Sequence, residues 1–325
     1  MSTTPPPLVS ICVPCRNAAP YVADTLRSLL TQSWPYLEVI VVDDASTDGS
    51  VEAVLAIAAS DQRVQLHRGS FGSAARARNA ALAHAKGAFI KFMDADDLLS
   101  PTAVADQVAR LQGRSDAVAM GQWGRFTNDD LSTFCFDRRS QSADADPLDW
   151  LVSAWADAEP MMQAGMFLIP RALLERCGGW DEDLSLIDDF EFFTRVLCHA
   201  QELLFTPDAV LYYRSGLAGS LSGRRSRDAA QSAFEAITSA TTQLLARRSD
   251  AAARRSCANV MQNFIYGFYP HVPRLRQAMA ARVRALGGSD LPPPGGPRFQ
   301  LMRRCLGWRV AARLQHYSQR LATSG

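Results

Sequence analysis

Short apolar runs alternate with stretches of helical periodicity along residues 8–111. LVSICV (8–13), LEVIVVD (37–43), VQLHR (64–68) and AFIKFM (88–93) are brief, rich in β-branched residues and bounded by breakers, which predicts buried strands. Between them, residues 19–32 set Val22, Leu26, Leu29 and Leu30 at helical spacing. Residues 48–59 predict a helix with Asp48 as N-cap. The Ala-rich stretch 73–87 predicts a helix stopped by Gly87, and 101–111 a helix with Pro101 at its start. Near-continuous apolar strands alternating with helices predict a mostly parallel, Rossmann-like sheet flanked by helices.

The middle of the chain is less regular. Residues 116–123, 164–170 and 209–214 predict strands, and 188–200 a helix that buries Phe192, Phe193, Val196 and Leu197. Beyond the turn-rich SGLAGSLSG (215–223) the pattern becomes helical throughout, over 226–248, 251–267, 273–286 and 300–320, with a loop at 287–297. The expected organisation is a domain over residues 1–222 and a helical, Arg-rich extension over 223–325.

Charge sharpens that division. Residues 223–325 hold 17 Arg and 4 acids, a balance of +13, whereas residues 1–222 hold 17 basic and 29 acidic residues, a balance of −12. Such asymmetry predicts different tasks for the two parts, the basic one meeting an anionic surface. The start MSTTPPPLVS shows neither a basic n-region nor a long apolar run, and no stretch is apolar enough to predict a spanning helix. Seven scattered cysteines, an odd number, fit reduced thiols and a cytoplasmic protein better than a disulfide framework. Cys12 and Cys15 form a C-x-x-C, read here as two small residues where a strand enters a loop. No second Cys pair completes a zinc site, and the five His residues (67, 84, 199, 271 and 316) show no metal-ligand spacing. Walker and G-x-G-x-x-G loops are absent as well.

In open α/β sheets, ligands bind beyond the carboxyl ends of the strands. Polar residues fall at those ends here: Asn17 after the first strand, Asp43 and Asp44 at the second, and Asp94, Asp96 and Asp97 after the fourth. Asp94 and Asp96 are two apart, so on an extended chain both side chains point the same way. Asp97 points elsewhere and is expected to cap the next helix. An Asp-x-Asp of this kind suits a hard divalent cation, Mg²⁺ or Mn²⁺, which typically uses one or two carboxylates plus substrate phosphates.

Three separate stretches resemble the inverting, family 2 glycosyltransferases of GT-A fold, the nucleotide-diphospho-sugar transferase fold. VSICVPCRNAAPYVADTLRSLLTQSWPYLEVIVVDDASTDGS (9–50) is similar to the nucleotide-binding segment, ARNAALAHAKGAFIKFMDADD (77–97) to the Arg-Asn helix leading into Asp-x-Asp, and CGGWDEDLSLIDDFEFFTRV (177–196) to the acceptor side. The resemblance spans about residues 8–215. It implies that Pro14, Asn17 and Asp44 line the nucleotide pocket, with Asp44 against base or ribose. It implies Arg78 near the donor phosphates or the Asp-x-Asp loop, Asp94 on the donor, Asp96 on the metal and Asp189 as general base, with Asp188 beside it. Three positions depart from the family pattern: Arg16 stands where Tyr is common, Asp188 where Glu is usual, and Gly216 where a His often follows Y-Y-R.

The activity so implied is metal-assisted single displacement. A sugar moves from a nucleotide-sugar donor, UDP by default, to a hydroxyl of a glycan or lipid-linked acceptor in cell-envelope polysaccharide or glycoconjugate synthesis. Trp180 either stacks on sugar or acceptor or packs in the core, and both readings stand at this stage. The methionines of EPMMQAGMFLIP (159–170) are likewise acceptor lining or core. In the tail, Leu301, Leu306, Trp308, Val310 and Leu314 form an apolar face among Arg298, Arg303, Arg304, Arg309, Arg313 and Arg320. That pattern fits either a helix packed on its own domain or peripheral contact with the inner face of a membrane. Nucleic acid is not expected as a partner. Two rivals remain: a non-catalytic sugar-nucleotide-binding or scaffold protein of the same fold, and a nucleotidyltransferase. The latter would carry a Gly-rich loop after the first strand, and VPCRNAAPYV (13–22) has no glycine.

Overall fold

The computed structural model describes residues 5–137, 143–158, 161–217 and 226–314. It divides into two compact units, residues 1–151 with 161–223 and residues 152–160 with 224–325.

The first unit is built on a nine-stranded sheet. Strands β1 (Val9–Cys15), β2 (Leu37–Asp44), β3 (Val64–Gly69) and β4 (Phe89–Phe92) come from the predicted runs. They lie in the order β3-β2-β1-β4, all parallel, with Cys15 level with Asp43 and Cys12 level with Phe92. Every residue of β2 and β4 is buried, as continuous apolar runs require. Helices α1 (Val22–Leu30), α2 (Ser50–Ala58), α3 (Ala74–His84) and α4 (Ala103–Leu111) connect them, α3 packing on β1 and β2. Because β2, β1 and β4 are parallel neighbours, their carboxyl ends share one rim.

The rest of the sheet is mixed, which qualifies the expectation of a mostly parallel one. Strand β8 (Phe167–Pro170) runs antiparallel to β4 and to β6 (Ala117–Thr127), whereas β9 (Glu202–Ser215) is parallel to β6. Two strands have no counterpart in the sequence reading: β5 (Leu98–Leu99), paired with β9, and β7 (Asp130–Phe136), paired with β6. Helices α5 (Pro147–Ala154) and α6 (Arg171–Cys177) were not expected either. The predicted helix over 188–200 is α7 (Asp188–His199), and Phe192, Phe193, Val196 and Leu197 are all fully buried.

Three local expectations fail for physical reasons. Asp48 does not cap α2, whose N-cap is Gly49; its carboxylate instead accepts from the Ala19 N–H and the Ser50 N–H, and from the Ser50 hydroxyl. That use ties the turn after β1 to the turn after β2. Gly87 does not stop α3, which ends at His84 with Ala85 as its C-cap. A Cβ at 87 would come within 2.6 Å of the Ser10 N and 2.7 Å of the Leu8 O, so glycine lets β1 pass close by. Pro101 lies one residue ahead of the α4 N-cap, Thr102, rather than inside the helix.

The second unit is helical: α8 (Arg227–Arg247), α9 (Ala251–Gly267), α10 (Pro273–Ala285) and α11 (Pro297–Leu306). Ser226 and Asp250 cap α8 and α9 by accepting from the N–H of Ala229 and Ala253. Three polar side chains of α9 bind the segment before β8: Ser256 donates to the Val152 O, Asn259 to the Ala156 O and Asn263 to the Ala158 O. After Gly307, with φ of 76°, helix resumes over 308–314. The helix expected over 300–320 is therefore broken at Gly307, and its last residues, His316 and Arg320 among them, lie outside the described residues. So do residues 159–160 of the methionine stretch and 218–223 of the turn-rich one. Among the described residues no helix is long and apolar enough to cross a membrane.

Candidate functional site

The parallel strands β1, β2 and β4 deliver the acidic turns to one rim, and one arginine joins that rim to α7. Arg78, on α3, is only 6% exposed. Its Nη2 donates to Asp94 Oδ1 and its Nη1 to Asp188 Oδ2, both at 2.8 Å. Burial alone would weaken the cation, yet the Asp94 and Asp188 carboxylates overcome it and hold the Arg78 pKa above its ordinary value. The Asp-x-Asp loop after β4 and the start of α7 are thus fastened to one guanidinium.

Asp189 follows directly in the first turn of α7. Burial, followed by the adjacent Asp188 charge, pushes its pKa up to about 7, against an opposing pull from Arg78. Its Oδ1 accepts from the Phe190 N–H. The residue before the pair, Ile187, has φ of 53°. A β-branched residue in the left-handed region is strained, and such strain concentrates where a side chain must be aimed.

Asp96 is the loosest acid of the set. No other described residue donates a hydrogen bond to its carboxylate, and burial with the neighbouring Asp94 charge pushes it up to about 6. Asp97 does not cap α4. It is buried, its Oδ1 accepts from the Arg214 N–H at 2.8 Å, and burial beside Asp96 and Asp94 raises its pKa as well. Arg214, at the end of β9, also donates from Nε to the Asp96 O at 2.7 Å, pairs with Asp129, and lies over the rings of Tyr21 and Phe126. Sequence reasoning gave Arg214 no task. Its signal was a lone Arg in an apolar strand whose partners are far away in the chain. No group of three His, Cys, Asp or Glu is preassembled for a metal among the described residues. The donor set, carboxylate oxygens with Asp96 uncommitted, is the partial one a hard cation shared with substrate phosphates would use.

On the β1–β2 side, Asp44 is buried at the end of β2. Its Oδ1 accepts from the N–H of Phe71 and of Gly72, and its Oδ2 from Arg16 at 3.2 Å. Arg16, exposed at the position where the family commonly has Tyr, therefore forms an ion pair at the same rim. Asn17, with φ of 51°, accepts on its side-chain oxygen from the Thr47 N–H while its own N–H donates to the Ser46 hydroxyl. Pro14 is half-buried near the end of β1, and Arg16 and Asn17 follow it. An open pocket of about 380 Å³ adjoins this edge, lined by Ser70, Phe71, Arg76, Asn79, Ala80 and Glu182.

Trp180 presents no face to a sugar. It is 3% exposed, stacks parallel on Phe192 at 4.0 Å, and has the Arg78 guanidinium 4.3 Å from its centroid. Two groups that close to one centroid cannot share a face, so both faces are filled. The ring buttresses Arg78, a cation–π contact made in a water-poor setting. Asn79 fixes the loop by accepting from the Trp180 N–H and donating to the Trp180 O. Gly179 permits this, because a Cβ there would come within 2.6 Å of Asn79 Oδ1. Met162 and Met166 are buried in the core, as is Trp123. Cys12 and Cys15 are both buried, and burial raises both thiols, Cys15 to about 12, which makes them inert as nucleophiles.

The chain is similar to known proteins. The family model described as "Glycosyl transferase family 2" matches residues 10–176, just over half of the chain. Among curated relatives, TuaG of Bacillus subtilis (strain 168), a glycosyltransferase named for teichuronic acid biosynthesis, is 36% identical over 124 residues. The match covers 38% of this chain and 49% of TuaG, so it spans about half the relative's length. Among solved structures, S. aureus TarS 1-349 in complex with UDP superposes with a TM-score of 0.64 at 17% identity, over 96% of this chain and 92% of TarS. Mannosyltransferase PcManGT from Pyrobaculum calidifontis, in complex with GDP-Man and Mn²⁺, gives 0.53 at 22%, over 96% and 87%. Identities this low speak to the fold, which is GT-A, while the family model speaks to descent. The chain belongs to glycosyl transferase family 2.

Proposed function

We propose that this chain transfers a sugar from a nucleotide-diphosphate donor to an acceptor hydroxyl with inversion at the anomeric carbon, Asp189 acting as general base. The observation that supports the reading is the Arg78 bridge, in which one guanidinium binds Asp94 of the Asp-x-Asp loop and Asp188, the residue next to Asp189. A base is most effective when its pKa lies near the working pH, and Asp189 is raised to about 7. It takes the acceptor proton as the hydroxyl attacks. Pro14, Asn17 and Asp44 line the nucleotide side, with Arg16 taking the place of an aromatic plate, and Asp94 contacts the donor. Trp180 acts through Arg78 and not by touching sugar. Asp96 is the residue that would hold Mg²⁺ or Mn²⁺, a cation that neutralises charge on the diphosphate when bound.

UDP is the favoured nucleotide, since the neighbouring TarS structure carries it. A glycan or lipid-linked acceptor of the cell envelope is the acceptor we favour, in keeping with the teichuronic acid biosynthesis for which TuaG is named. The transfer chemistry is assigned to residues 1–222, with 223–325 as an extension. The cytoplasm suits cysteines that are thiols and not disulfides.

The test is release of nucleotide from a panel of UDP-, GDP- and dTDP-sugars with Mn²⁺, alongside thermal shift with each nucleotide. Turnover of one donor, lost in Asp96→Ala and in Asp189→Asn while the latter still shifts with nucleotide, supports the reading. Nucleotide binding with no turnover of any donor, or turnover indifferent to Asp189→Asn, overturns it.

A further inference from the structure

The end of the helical unit carries both packed and open apolar side chains. Some pack: Phe299 and Ala311 are buried, and Trp308 meets the rings of Tyr266 and Tyr269 at 5.0 Å each. Others are open. Leu301 is 66% exposed, Leu306 53%, Val310 44% and Leu314 47%. These four make up half of the eight large apolar side chains that are exposed among the described residues, within one stretch of fourteen positions. Isolated exposed leucines are ordinary, but four open apolar side chains in so short a stretch, with Val310 and Leu314 four apart on one helical face, mark a contact surface. The inward turn of Trp308 shows that the segment's own packing is met by other residues.

Charge selects the occupant. Arg304, Arg309 and Arg313 are exposed among these residues, with Arg309 and Arg313 each one position ahead of Val310 and Leu314 on the same helical stretch. No acid follows Asp290 in the chain. A second copy would set arginine against arginine in a unit of strong positive excess. A polyanion without apolar groups would leave the leucines in water. A bilayer with anionic headgroups offers phosphate to the arginines and an acyl boundary to the leucines. We propose that this face seats the protein on the surface of an anionic phospholipid bilayer, with the helices lying in the plane of the interface. The proposal stands apart from the transfer reaction, because it uses no residue of that site.

The test is flotation of the full chain with phosphatidylcholine vesicles, with and without phosphatidylglycerol. Binding is expected to be about tenfold or more tighter to the anionic vesicles and to weaken as salt rises. Arg304→Glu with Arg313→Glu should abolish that preference. Leu306→Ser with Val310→Ser and Leu314→Ser should cut binding about tenfold and leave the remainder more salt-sensitive. A dye on Cys305, with Cys135→Ser removing the other exposed thiol, should shift to the blue on anionic vesicles only. Should a variant fail to fold, the salt titration and the dye on the otherwise native face still decide. Equal binding to neutral and anionic vesicles, or none to either, overturns the proposal. So does a drop in oligomeric mass in the serine variant with vesicle binding unchanged, which would assign the face to a second copy.

Discussion

Arginine is used in opposite ways in the two units. In the first, Arg78 and Arg214 are buried, and each is built into a network of carboxylates, backbone and rings. In the second, Arg304, Arg309 and Arg313 stand in solvent on two successive helical stretches that lack acids. Burial raises the worth of each charge contact and the penalty for losing one, so buried arginines define a geometry. Exposed ones create a field that salt screens, which suits a reversible surface contact. The difference turns on solvation, since the ion-pair distances in the two units are similar.

The largest effect is therefore expected at Arg78. Arg78→Met leaves Asp94 and Asp188 half-buried without their shared cation and removes the lid from Trp180. Stability should fall by about 3–5 kcal/mol, read from denaturant midpoints, and turnover should vanish. Arg78→Lys should recover little, because an ammonium cannot donate to two carboxylates in a planar fork while covering an indole. A Lys variant with near-native stability and turnover would show that Arg78 acts only as a point charge.

Asp189→Asn comes next, and it separates chemistry from folding. Turnover should drop by about 10²–10⁴-fold while nucleotide binding persists. In the native chain the rate should climb as pH rises through about 7, where Asp189, the proposed base, loses its proton, and level off above. Stability should move the other way. A carboxyl whose folded pKa lies above its unfolded value contributes fully below the unfolded pKa, and that contribution is lost as pH rises through the folded one. Asp189→Asn should thus be more stable than the native chain at pH 8, by about 1–2 kcal/mol after allowing for partial exposure, and little different at pH 4. Equal stability of the two at both pH values would remove the case for a perturbed base.

These two residues also mark what could be read in advance. Strands β1, β2 and β4 were legible because a fully buried parallel strand must be apolar along its whole length. Their shared rim followed from their being parallel neighbours, and the acids at their ends were visible as residues. Strand β7 was not legible: it lies at an edge with nearly every residue exposed, so DLSTFCF carries no buried face to give a period. The partners of Arg78 were hidden for another reason. Asp188 is 110 positions away, and pairing at that range is set by how α3 and α7 pack, which no local pattern records. Trp180 beside an acidic helix looked like a sugar plate, but the same aromatic surface serves equally well under a guanidinium. Only its filled faces decide between the two.

Lys91 offers a smaller effect within the same unit. It is fully buried in β4, with Nζ donating to Gln107 Oε1 at 2.9 Å, and burial lowers its pKa to about 7. A lowered lysine contributes stability above its unfolded pKa and loses it as pH falls through the folded one. Lys91→Met should therefore stabilise the protein at pH 6 by about 1–2 kcal/mol, and by less at pH 9. A loss at pH 6 would mean that the charged ammonium is itself a structural partner of Gln107.

The smallest effect tests the comparison itself. In the helical unit Arg255 meets Asp290 at 2.6 Å, a shorter contact than either made by Arg78. Both of its side chains are more than half exposed. If distance set the worth of an ion pair, Asp290→Asn would harm the protein at least as much as losing Asp94 or Asp188. If desolvation sets it, water and salt replace the lost partner, and Asp290→Asn should move the melting temperature too little to resolve at physiological ionic strength. Asp188→Asn, measured alongside, should lower it plainly, because Arg78 has no water to turn to. Comparable shifts for the two would mean that burial is not what distinguishes the arginines of the rim from those of the helical unit.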